Sequence, residues 1–172
     1  MKLFLKKNML LLSILFLAAF LRFVGLVPNI SHPDEGHVQI YSSDLVKNFL
    51  TEGDLNPHTF KYGSAIFYLQ ALFYLPILAG AYILESLNVL LSSSFTSKVL
   101  DYTLFHEEAV RRYSDLLLIV GRGQIAIFGI LSVLIVYLIG RELFDKRVGL
   151  ISALLLAVGP MHVRDSRYIT TD

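Results

Sequence analysis

Four apolar runs separated by polar stretches organise this chain. The first, residues 9–27, is interrupted only by Ser13 and Arg22. It has the length of a helix that crosses about 30 Å of hydrocarbon. Residues 116–139 form a comparable run, with Arg122 and Gln124 near its start. Residues 65–84 carry Gln70, Pro76 and Gly80, and residues 148–163 are slightly short for a crossing. Between the first run and residue 65, Val38, Tyr41, Leu45 and Phe49 recur at three- and four-residue spacing, while Asp44, Lys47 and Asn48 take the opposite side. This predicts an amphipathic helix over 33–50, opened by Pro33, closed by Gly53 and able to lie along a membrane surface. Residues 92–115 mix serines with charges and read as loop plus a short interfacial helix.

The predicted fold is all-α: a polytopic transmembrane helical bundle with interfacial helices in a large first external loop. Its spans are 9–27, 116–139 and 148–163, and the external loop is 28–115. Charge sets the orientation. Lys2, Lys6 and Lys7 keep the N-terminus cytoplasmic, and Arg141, Lys146 and Arg147 favour the same side for their loop. An even number of crossings must separate the two. The run 65–84 therefore makes no single net crossing, and Pro76 and Gly80 let it lie at the interface or re-enter. On this topology Asp34, Glu35 and Asp172 meet on the outer face. The rival reading of the first run, a cleavable signal peptide, lacks a small-x-small cleavage site.

Composition agrees with a membrane setting. Of 172 residues, 55% are hydrophobic and 17% charged, where a soluble domain is nearer a quarter charged. A net charge of +1 argues against a nucleic-acid partner, which needs a basic face. The absence of cysteine excludes disulfides, thiolate catalysis and cysteine metal sites.

The candidate chemistry lies at the ends of the runs. Asp34 and Glu35 read in two ways. As helix-start acids they stabilise a dipole by about 0.3–1 kcal/mol. As a catalytic pair, a carboxylate beside an apolar wall loses solvation and suits proton abstraction, with Asp34 the base and Glu35 its support. His32, His37 and His58 can ligate a divalent cation together with Asp34, or can be solvated loop histidines. No other cofactor is expected. Lys61 can snorkel to headgroups or bind a lipid phosphate. Arg22 lies near the outer end of its run and is expected to snorkel. Arg122 is costly at its depth unless partnered. Arg164 and Arg167 can anchor at the interface or contact phosphate.

Four motifs in order carry a family resemblance: Ser31-His32-Pro33-Asp34-Glu35-Gly36-His37, Gly53-Asp54-Leu55-Asn56-Pro57-His58, Tyr137-Leu138-Ile139-Gly140-Arg141-Glu142-Leu143-Phe144, and the stretch from Ala157 through Gly159-Pro160-Met161-His162 to Asp172. Together they resemble the N-terminal part of GT-C membrane glycosyltransferases. The nearest branch is the bacterial and archaeal relatives of protein O-mannosyltransferase and aminoarabinose transferase, in glycosyltransferase family 39. The resemblance implies transfer of a sugar from a polyprenyl-phosphate-linked donor to a protein, lipid or glycan acceptor. It implies a prokaryotic plasma membrane with the active face external. It gives Asp34 as base with Glu35 adjacent, Asp172 as the second acid, Lys61 at the lipid phosphate and Arg122 at the opening of the second span. Relatives carry many further helices, so the chain is expected to be a fragment, inactive alone. The other classes kept open are a transporter subunit, which needs charges at mid-membrane, and a non-catalytic scaffold in which the acids only cap helices.

Overall fold

The computed structural model describes residues 2–24, 26, 32–59, 63–91 and 102–169. Among them all regular structure is helical. In chain order the helices are α1 (Lys2–Phe23), α2 (Glu35–Glu52), α3 (Ala65–Leu91), α4 (Tyr102–Leu143), α5 (Lys146–Val158) and α6 (Pro160–Asp165). Within α4 the stretch Arg111–Leu143 is long and apolar enough to cross a membrane. The apolar stretches Asn8–Phe23 and Ala65–Ala81 are shorter.

Three boundaries differ from the sequence reading. Residues 102–115 are the start of α4, not loop plus a separate interfacial helix. α3 runs unbroken through Pro76 and Gly80, which had been taken as interruptions. One proline removes a single ladder bond and strains the turn before it, and the apolar neighbours on either side keep the helix going. The run 148–163 is not one helix: it ends as α5 at Val158 and resumes as α6 at Pro160. At about 1.5 Å per residue, the 13 residues of α5 rise roughly 20 Å, short of the hydrocarbon thickness.

The chain divides into two compact units. One draws on Met1–Ser31 and Arg122–Ile169, the other on His32–Gly121. The core of the first unit is Ile14 and Ala18 of α1, Val133 and Tyr137 of α4, and Ala153 and Ala157 of α5. Small residues let these helices approach. A Cβ on Gly149 would stand 2.6 Å from the Tyr137 carbonyl oxygen, and one on Gly140 would stand 2.8 Å from the Gly149 Cα. Both contacts are with backbone, which cannot yield cheaply, so the α4–α5 hairpin closes only with glycine at both places. Asp145 caps α5, its carboxylate accepting the Val148 N–H at 2.8 Å. Large apolar side chains lie on the surface of this unit, Phe16 75% exposed and Leu155 65%, while Arg22 and Arg122 are buried.

The break at Gly159 explains the burial of Arg22. Residues before proline avoid the α region, and Gly159 adopts φ −57°, ψ 116°. Pro160 has no N–H, so the Leu156 carbonyl loses its helical donor. Arg22 supplies replacements. Its Nη1 donates to the Ala157 carbonyl at 3.1 Å, and its Nη2 to the Leu156 carbonyl at 3.4 Å. A guanidinium at the C-terminal end of α5 also opposes the negative end of its dipole. Arg22 is thus an internal cap and does not snorkel.

In the second unit α2 packs on α3. The buried stripe of α2 is Glu35, Val38, Ser42, Leu45 and Val46, and that of α3 is Phe67, Gln70, Ala71, Tyr74 and Leu78. These spacings keep each set on one side of its helix. The Tyr41 ring meets Phe67 edge-on at 5.6 Å. Ser42 Oγ, the Gln70 amide and the Tyr74 hydroxyl are buried with no hydrogen-bond partner among the described residues. α2 stops at Gly53, whose φ of 70° is left-handed, and the Gly53 N–H bonds the Phe49 carbonyl at 3.1 Å. The following loop is tied down by the Tyr68 hydroxyl, which donates to the Leu55 carbonyl at 2.9 Å.

Candidate active site

The turn His32-Pro33-Asp34 leads into α2 and separates two adjacent carboxylates. Glu35 is 1% exposed, and its Oε2 accepts the His32 N–H at 2.8 Å. The Glu35 N–H in turn donates to the His32 carbonyl at 3.1 Å. Glu35 therefore clamps the turn from inside the α2–α3 packing. Asp34 is the N-cap residue but makes no side-chain capping bond. Its side chain is 35% exposed. Its backbone N–H donates to His32 Nδ1 at 3.4 Å, and its Oδ2 lies 3.6 Å from the same nitrogen. Gly36, next along, leaves open space: a Cβ there would meet nothing within 4 Å.

The other histidines go elsewhere. His37 is exposed and stacks on Tyr41, with ring centroids 6.2 Å apart. His58 Nε2 pairs with Asp54 Oδ2 at 2.6 Å. Asp54 Oδ1 accepts the Asn56 N–H, and Asn56 Oδ1 accepts the His58 N–H. The Asn56 N–H and then His58 hold the Asp54 carboxyl below its ordinary range. This knot lets His58 keep a φ of 50°. Among the described residues no three histidine or acidic side chains converge as a metal site.

The basic residues singled out by sequence belong to the first unit, apart from Lys61. Arg122 is 1% exposed, with Nη1 donating to the Leu26 carbonyl at 3.2 Å and its guanidinium 5.2 Å from the Tyr168 ring centre. Arg167 donates through Nε to the Leu21 carbonyl at 3.1 Å, and through Nη2 to the same oxygen. Arg164 is exposed and bonds its neighbour Asp165 at 2.7 Å, which holds the guanidinium more firmly charged. Lys61 and Asp172 lie outside the described residues.

Sequence reasoning missed one polar cluster in the first unit. Arg22 Nη2 lies 2.6 Å from His162 Nδ1, and His162 Nε2 lies 2.9 Å from Ser132 Oγ. Arginine can only donate, so Nδ1 accepts and Nε2 carries the ring proton. Ser132 Oγ passes a hydrogen bond on to the Gly129 carbonyl at 2.8 Å. Arg22 in an otherwise apolar run was the available signal, since an arginine at depth requires a partner.

The sequence profile of the family described as dolichyl-phosphate-mannose-protein mannosyltransferase matches residues 119–172. That stretch holds Arg122, the Gly140–Gly149 hairpin, His162, Arg164 and Arg167. Comparison with curated proteins and comparison with solved structures each give no match.

Proposed function

We propose that the chain acts as a membrane glycosyltransferase. It moves a sugar from a polyprenyl-phosphate-linked donor to an acceptor hydroxyl at the outer face of the membrane. The observation that carries the reading is the division of labour between two neighbouring acids. Glu35 is 1% exposed and holds the His32 N–H, whereas the Asp34 side chain is 35% exposed. The profile match over residues 119–172 supports the same class of reaction.

Asp34 takes the proton from the acceptor hydroxyl as that oxygen attacks the anomeric carbon. The bond to the lipid phosphate breaks with its electron pair, and a single displacement inverts the anomeric centre. The leaving polyprenyl phosphate is a monoalkyl phosphate that departs as an anion and needs little protonation, so one base suffices. Cations near the leaving group stabilise its charge. Lys61, Arg122, Arg164 and Arg167 are proposed for that role, and Asp172 as the second acid, on the resemblance of their motifs. His37, exposed one turn beyond Asp34, is proposed to contact the sugar or acceptor.

The apolar exterior of the first unit supports a bilayer setting. Phe16, Ile151 and Leu155 are exposed while Arg22 and Arg122 are buried, the reverse of a water-soluble domain. With lysines at the N-terminus, the orientation proposed is N-terminus inside, in a prokaryotic plasma membrane.

The deciding experiment measures mannosyl transfer by the full-length protein in vesicles containing polyprenyl-phosphate mannose, using a serine-bearing peptide as acceptor. Asp34→Asn is expected to abolish transfer while leaving the helical circular-dichroism signal intact. Transfer by Asp34→Asn at the parent rate rules Asp34 out as base. A scaffold or transporter would show no transfer by either protein.

A further inference from the structure

The geometry points to His32 as the residue that positions Asp34 and receives its proton after each transfer. This rests on the reading of Asp34 as general base. Three contacts converge on His32, two of them on its ring. Its backbone N–H is held by the buried Glu35 carboxylate at 2.8 Å, so the residue cannot drift from α2. Its Nδ1 accepts the Asp34 N–H at 3.4 Å. The same Nδ1 stands 3.6 Å from Asp34 Oδ2.

The first of the Nδ1 contacts fixes the tautomer. A backbone N–H can only donate, so Nδ1 presents its lone pair and the neutral ring carries its proton on Nε2. Asp34 as a carboxylate also presents lone pairs. In that tautomer the Nδ1 lone pair and the Asp34 carboxylate face each other at 3.6 Å. That arrangement is poor until a proton arrives, and then it becomes a hydrogen bond.

Transfer supplies that proton. The acceptor hydroxyl loses its hydrogen to Asp34 Oδ2 as its oxygen bonds the anomeric carbon, and the donor's anomeric C–O bond breaks toward the phosphate. Protonated Oδ2 then donates to His32 Nδ1, which gives up its contact with the Asp34 N–H and takes the proton on that lone pair. Asp34 is again a carboxylate, and His32 is an imidazolium. The imidazole side chain is 37% exposed, so it can release one proton to solvent water while product still covers Asp34. No other reactant is consumed. The long distances suit this role, since catalytic contacts tighten when substrate is bound.

The test uses the full-length protein in vesicles with polyprenyl-phosphate mannose, and reads donor consumption with a serine peptide or with water as acceptor. His32→Asn places an amide oxygen where Nδ1 was, so it keeps the Asp34 N–H bond but cannot be protonated. His32→Ala removes both functions. The expected result is a fall in kcat of roughly 10- to 100-fold in His32→Asn, with the donor KM within about twofold. In His32→Ala, added imidazole restores turnover, and substituted azoles do so in order of basicity. His32→Asn at the parent kcat overturns the proposal, as does a His32→Ala defect that no azole relieves. Run beside Asp34→Asn, the two readings separate. An inactive Asp34→Asn with a fully active His32→Asn removes only the role of His32. An active Asp34→Asn removes both.

Discussion

Arg22 Nη2 bonds His162 Nδ1 at 2.6 Å, joining the end of α1 to α6 across the break between α5 and α6. The same guanidinium holds the last carbonyls of α5, so its removal leaves several buried groups unpaired at once. Arg22→Leu is expected to destabilise the protein, at about 1–3 kcal/mol for each buried group left without a partner. Thermal unfolding in detergent checks this. A double-mutant cycle with His162→Ala should give a coupling of about 0.5–3 kcal/mol, and strict additivity would show that the 2.6 Å contact carries no energy.

The α4–α5 crossing gives a second prediction. A Cβ at Gly149 would lie 2.6 Å from the Tyr137 carbonyl oxygen and 2.9 Å from the Arg141 nitrogen. Gly149→Ala should cost about 1–3 kcal/mol, because the hairpin must splay to admit a methyl group. The matching control is Gly36→Ala, where nothing lies within 4 Å. It should leave the unfolding midpoint nearly unchanged.

Gln70 is fully buried with both amide atoms unpaired. An apolar residue of similar length removes that penalty without opening a cavity. Gln70→Met is expected to raise stability by about 1–2 kcal/mol. A lowered unfolding midpoint would mean that the amide is satisfied in solution, for instance by an internal water.

The Asp54 knot has a pH dependence of definite sign. The folded-state pKa of Asp54 is depressed, first by the Asn56 N–H and then by His58. A depressed carboxyl contributes stability that is present above the unfolded value, near pH 4, and is lost as pH falls through the folded value. The loop after α2 should therefore loosen in acid below about pH 4. Amide exchange at Asn56 and His58 reads this directly. Asp54→Asn should abolish the dependence.

The helical content was legible because apolar runs of this length leave few alternatives; of the expected α2 stripe Val38 and Leu45 are buried, but Phe49 is 42% exposed and Ser42 and Val46 are buried instead. The helix ends were less legible. Pro76 and Pro160 look alike as letters, yet α3 continues through one and α5 stops before the other. The residue in front differs. Leu75 stays helical, whereas Gly159 has no Cβ to bias it and takes an extended conformation. Arg22 was legible as an anomaly but not as a cap, since its partners Leu156 and Ala157 come from a distant part of the chain. Asp34 and Glu35 were indistinguishable by charge. Only the direction of α2 relative to α3 decides which of the two is buried. His32 had been grouped with His37 and His58 by residue type, but the turn brings it alone to Asp34.

The Leu156 carbonyl depends on Arg22 because Pro160 has no hydrogen to offer. Positions 22 and 160 are therefore energetically linked although they are remote in sequence. A lineage that exchanges Pro160 for a residue bearing an N–H relaxes its need for a guanidinium at position 22. A lineage that loses Arg22 gains by restoring that hydrogen. The pair should drift together through descent, even though neither side chain touches the other's atoms in any contact described above.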